Sequence, residues 1–121
     1  MRSSDFAILA GMNPDDLRLL ETVGAEAEVA AGHVLIEHGQ YGSGLYVILE
    51  GTVLIEAPEG TRELGVGAII GERALLSADG TRTARVRATS DVRVLAVDRV
   101  EFERLCADEA GFAGRVAEAG A

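Results

Sequence analysis

The chain contains no lysine and no tryptophan, a single cysteine, two prolines, three phenylalanines and two tyrosines. A lone cysteine, Cys106, excludes an internal disulfide framework and fits a reducing cytoplasm. No partner motif accompanies it, so it reads as an inert thiol in a helix. Positive charge is scarce: eleven arginines face twenty acids, for a net charge of −9. A surface that binds nucleic acid directly needs the opposite sign. No apolar run is long enough to span a bilayer, so membrane insertion is not expected. Met1-Arg2-Ser3-Ser4-Asp5 lacks the basic start and apolar run of a signal peptide. A soluble, cytoplasmic chain is the expectation. No H-E-x-x-H, P-loop or Ser-His-Asp series is present, which argues against an enzyme.

What is present suits one small domain over residues 1–121. Fifteen glycines mark many turns. Residues 1–24 read as helical. Asn13-Pro14-Asp15-Asp16 is a helix start, with Asn as cap, Pro at the first position and acids in the first turn. Leu17, Leu20 and Val23 then form an apolar stripe, and Ser4–Ala10 suggests an earlier short helix. From 26 to 97 the pattern changes to about eight short strands separated by turns, as in a sandwich or barrel. Residues 98–121 return to helix. Asp98 and Glu101 have capping spacing, and Phe102 and Leu105 face inward. Glu109–Ala119 reads as a last helix with Phe112 and Val116 on one face, weakened by Gly111 and Gly114.

The densest information lies between Gly71 and Ala84. An apolar run ends at Gly71-Glu72, a short helix-like turn follows through Ala74 and Leu75, and Arg82-Thr83-Ala84 opens a strand. Ala84, Val86 and Ala88 share one face of that strand, and Thr83, Arg85 and Arg87 share the other. Arg82 falls on the side of the small apolar residues. An inward guanidinium cannot lose its charge and needs an anion beside it. Charge is uneven as well. Gly71–Arg99 holds six arginines and four acids, a balance of +2, against −11 for the rest. Arg85, Arg87 and Arg93 read as solvated strand faces; only Arg82 is asked to point inward.

The pattern G-E-x-A-L-L, five residues, then R-T-A resembles the phosphate-binding cassette of the cyclic nucleotide-binding domains. These occur in catabolite-activator-type regulators, cyclic-nucleotide-dependent kinases and some ion channels. Gly39 and Leu45-Tyr46-Val47-Ile48-Leu49-Glu50-Gly51-Thr52-Val53 resemble the family's central hairpin. Ser90–Arg99 with Glu101-Phe102 resembles its last strand and following helix. The likeness covers roughly residues 15 to 107.

The resemblance implies a mainly β fold: an eight-stranded jelly-roll barrel, or double-stranded β-helix, with flanking N- and C-terminal helices. It implies a sensor rather than a catalyst, with cyclic nucleotide as ligand and no metal or other cofactor. Arg82 would pair with the phosphate, and the backbone around Ala74 and Leu75 would share its charge. Glu72 would accept a hydrogen bond from the ribose 2′-hydroxyl. Gly71 would admit the sugar close to the backbone, and Thr83 would add a hydroxyl near phosphate or base. Phe112 is the expected base lid. Binding would reposition the C-terminal helices and act on a protein effector or a homodimer partner. The expected nucleotide is cAMP, the commoner bacterial ligand of this family, with cGMP open.

Two positions depart from the family pattern: Ile70 stands where an aromatic is frequent, and Arg73 where an apolar residue is commoner. One alternative is an internal Glu72–Arg82 salt bridge in a scaffold domain of this fold that binds no nucleotide. Another is a cupin-like metalloenzyme using His33 and His38. Their spacing of five and the want of a third histidine weigh against that reading.

Overall fold

A computed structural model describes residues 14–37, 39, 43–76 and 84–119, with the side chain of Arg73 not described. The described residues form four helices and eight strands. Helix α1 spans Pro14–Val23. Strands β1 (Ala25–Val29), β2 (Val34–Ile36), β3 (Gly44–Glu50), β4 (Val53–Ala57), β5 (Gly60–Leu64) and β6 (Ile69–Ile70) follow. Helix α2 (Glu72–Leu76), strands β7 (Arg85–Ala88) and β8 (Val92–Asp98), and helices α3 (Arg99–Asp108) and α4 (Phe112–Ala119) complete the order.

The strands make two four-stranded antiparallel sheets, ordered β1-β8-β3-β6 and β2-β7-β4-β5. Strands β3 and β8 read Leu45-Tyr46-Val47-Ile48-Leu49 and Val92-Arg93-Val94-Leu95-Ala96-Val97. They are nearly continuous apolar runs because their sheet is covered on both faces. Leu45, Val47, Leu49, Ile69, Leu95 and Val97 join Leu17, Leu20, Phe102, Leu105, Phe112 and Val116 in one core between sheet and helices. The intervening residues Ile48, Ile70, Val92 and Val94 meet Ile36, Val53, Val86 and Ala88 of the other sheet in a second core. The alternation read for the Ala84–Ala88 stretch holds: Val86 and Ala88 are buried, Arg85 is exposed and Arg87 half-buried.

Gly51 turns β3 into β4 at φ +90°, and a Cβ there would lie 2.3 Å from the Asp91 carbonyl oxygen. No residue but glycine fits that approach. Asp98 caps α3, its carboxylate accepting the Glu101 N–H at 2.8 Å. The last helix starts later than expected, at Phe112 rather than Glu109. Glu109 ends α3 by donating to the Leu105 carbonyl at 2.9 Å, and Gly111 takes a left-handed φ of +78°. Gly111 is therefore the joint between two helices and not a weak point inside one. The earlier helix expected at Ser4–Ala10 lies outside the described residues.

Candidate functional site

Strand β6 is the edge of its sheet and ends at Gly71, whose φ of +88° bends the chain directly into α2. Ile70, in the position where an aromatic residue was the family's habit, is fully buried in the inter-sheet core. Glu72 opens α2 and is only 2% exposed. A carboxylate buried to this degree is costly unless hydrogen bonds or cations meet it. Ala74 and Leu75 are buried beneath the same turn, and Leu75 belongs to the helix-side core with Phe112 and Val116. Five predicted site positions, Gly71, Glu72, Arg73, Ala74 and Leu75, are thus one continuous corner between β6 and α2. Arg82 and Thr83 lie outside the described residues. Ala84 is half-buried and leads into β7.

The other arginines of this region are accounted for by surface partners. Arg85 Nε donates to Glu37 at 2.8 Å, and that hydrogen bond and charge raise its pKa. Arg87 meets Glu56 at 3.3 Å. Arg93 bridges Glu26 and, at 2.8 Å, Glu50, which raises its pKa chiefly through the Glu50 hydrogen bond. Cys106 is half-buried, and burial followed by the nearby Glu103 pushes its thiol pKa up, as befits an inert group.

Phe112, expected as the base lid, is buried in this conformation. Its ring is 0% exposed, inside the helix-side core, with its centroid 5.9 Å from that of Phe102. In this conformation it presents no face to a base, because burying an aromatic ring outweighs leaving it in water.

Two contacts were not foreseen. Arg99 Nη2 donates to the Ala74 carbonyl oxygen at 3.1 Å, joining α2 to the start of α3. Arg115 makes a two-pronged ion pair with the buried Asp16, joining α4 to α1. Neither has a local sequence signal, since each partner is remote along the chain. His33 is exposed, and His38 lies outside the described residues. Among the described residues no three His, Cys, Asp or Glu side chains come together as a metal site. No helix among them is long and apolar enough to cross a membrane.

Residues 26–109 match the profile of the cyclic nucleotide-binding domain, and the chain belongs to that family. It is 39% identical over 77 residues to a cyclic nucleotide-gated potassium channel of Rhizobium etli, covering 64% of this chain and 21% of the channel. Over 113 residues it is 33% identical to a cGMP-dependent protein kinase of Caenorhabditis briggsae, covering 87% of this chain and 15% of the kinase. A cyclic nucleotide-binding-like protein of Brucella abortus has a similar solved structure: TM-score 0.67, 32% identity, 88% of this chain and 99% of that one covered. Another, from a cyclic-GMP-dependent signalling pathway in bacterial phytopathogenesis, gives a TM-score of 0.77 at 27% identity, covering 88% and 89%. The chain thus spans about a fifth or less of the curated relatives it matches, which carry this domain within longer proteins.

Proposed function

We propose that this chain is a cyclic nucleotide sensor with its ligand seated at the β6–α2 corner. The observation that carries the reading is Glu72: a carboxylate buried immediately after a left-handed glycine, at the position where the family motif has its ribose acceptor. Arg82 pairs with the cyclic phosphate, the backbone of Ala74 and Leu75 shares that charge, and Thr83 and Ala84 close the strand side. Arg73 borders the ribose end. A singly charged phosphodiester matches the charge of Arg82, which is how a buried cation is tolerated.

The two sheets close as a jelly roll around this site, and residues 1–121 act as one domain. The module is regulatory and not catalytic, works in the cytoplasm, and needs no metal or other cofactor. Nucleotide binding draws α2 inward and shifts α3 and α4, a change of population that a protein effector or a second copy reads. Stacking of Phe112 on the base requires α4 to leave the position described above, so the lid role belongs to a rearranged state.

The ligand is cAMP on the family's bacterial habit. A second reading, cGMP, is favoured by the names of the Caenorhabditis kinase and the phytopathogenesis-pathway relative. Calorimetric titration of the purified chain with each nucleotide tests both. Saturable one-to-one binding of either supports the sensor, and the tighter one names the ligand. Heat of dilution alone with both nucleotides overturns the sensor reading in favour of a scaffold domain of this fold.

A further inference from the structure

The contact between Arg99 and α2 carries an inference that rests on the nucleotide site proposed above. Helix α2 has only five residues. So short a helix satisfies few of its own carbonyls, and its position depends on what it packs against. One side is apolar, where α4 packs on it through the core shared by Leu75, Phe112 and Val116. The other side is polar. Arg99 reaches from the first residue of α3 and donates from Nη2 to the Ala74 carbonyl. Its Nη1 meets Glu103 one turn along α3 at 3.3 Å, and its backbone N–H donates to the Ser43 carbonyl at 2.7 Å. The side chain is only 16% exposed, so its bond to the Ala74 carbonyl is partly shielded from water.

A guanidinium presents several donors in a rigid plane and can tie two segments in a fixed relation, which an ammonium cannot. Here it ties the carbonyl two residues after Glu72 to the first turn of α3, beside the strand that Ser43 enters. We infer that Arg99 is a positioning residue for nucleotide binding: it sets where α2 holds Glu72, and it transmits displacement of α2 to α3. Ala74 cannot move with the ligand without either pulling Arg99 or breaking its bond. The contact therefore makes site and helix one mechanical unit.

The test uses the whole chain, with cAMP and cGMP as probes. Calorimetry gives affinity, and hydrogen exchange of residues 99–108 is measured with and without saturating nucleotide. Arg99→Ala should weaken binding by about ten-fold or more, the scale of one charged hydrogen bond. It should also lose the exchange response of 99–108 even when saturated. Arg99→Lys should fall between, keeping charge without the planar fork. Glu103→Ala should stay within about two-fold of wild type, because the Glu103 carboxylate is 58% exposed and its pair with Arg99 is screened from that side. Wild-type affinity and an intact exchange response in Arg99→Ala, with only a lower melting temperature, would overturn the inference while leaving the sensor standing. Should Arg99→Ala fail to unfold cooperatively, Arg99→Lys decides: wild-type affinity with the full response overturns it equally. Failure of the wild-type chain to bind either nucleotide overturns the sensor reading and this inference with it.

Discussion

Arg115 holds Asp16 with two hydrogen bonds, Nε to Oδ2 at 2.7 Å and Nη2 to Oδ1 at 3.0 Å, across 99 residues of chain. The pair is asymmetric. Asp16 is almost wholly buried, whereas the Arg115 side chain is 43% exposed. The acid raises the pKa of its partner, so the cation persists at any ordinary pH. Removing the two partners should therefore have unequal effects. Arg115→Ala strands a buried carboxylate, while Asp16→Asn leaves an arginine that water can reach. The melting temperature should fall further in Arg115→Ala, and adding Asp16→Asn to it should restore part of the loss. Equal losses with no recovery in the double variant would show that the buried carboxylate is satisfied without Arg115.

Phe112→Ala should destabilise the fold by about 3–5 kcal/mol, the usual cost of emptying a buried aromatic site. Deleting the chain after Ala107 should be at least as damaging, since α4 covers Leu17, Leu20 and Phe102 in the shared core. Chemical denaturation measures both. A loss under about 1 kcal/mol for Phe112→Ala would mean that α4 leaves the body readily and that the ring is available as a lid.

Two glycines should respond oppositely to alanine. At Gly51, a left-handed backbone costs an L-residue about 1–2 kcal/mol, and contact with the Asp91 carbonyl adds to it. At Gly114, inside α4, an added Cβ would point into open space beyond its own helix backbone. Alanine there should stabilise by about 0.5–1 kcal/mol. Urea midpoints of the two single variants check the signs.

Within the proposed site, Arg82→Ala should nearly abolish nucleotide binding, at about 3–5 kcal/mol for removing half of a buried ion pair. Glu72→Ala should weaken it by roughly ten-fold and should stop the protein distinguishing a nucleotide from its 2′-deoxy analogue. Titration with four ligands, ribose and deoxyribose forms of each base, measures this. Undiminished preference for the ribose form in Glu72→Ala would remove Glu72 from the ribose.

The parts of the molecule that sequence foretold are those whose determinants are local. Alternation in Arg85–Ala88, the helix start at Pro14 and the Asp98 cap each concern neighbours within a turn or a strand, and each stands as read. The β6–α2 corner was legible because its glycine and glutamate sit side by side. Gly111 was misread as a flaw within a helix, because composition does not reveal the sign of φ. Phe112 and Val116 were legible as one face of the last helix, but which neighbours meet that face depends on tertiary packing. Arg99 and Arg115 carried no signal. Their partners, a backbone carbonyl and an acid 99 residues away, become neighbours only once the sheet has closed.

The junction of α1 with α4 has a practical corollary for measurement. Because the first and last described helices touch, a dye pair placed on their exposed positions Arg18 and Glu118 starts near its shortest separation. Energy transfer between such dyes can then fall but hardly rise. A reporter built this way would register departure of α4 as a one-sided dimming. A rearrangement that left the helices side by side would pass unseen, whatever happened to α2.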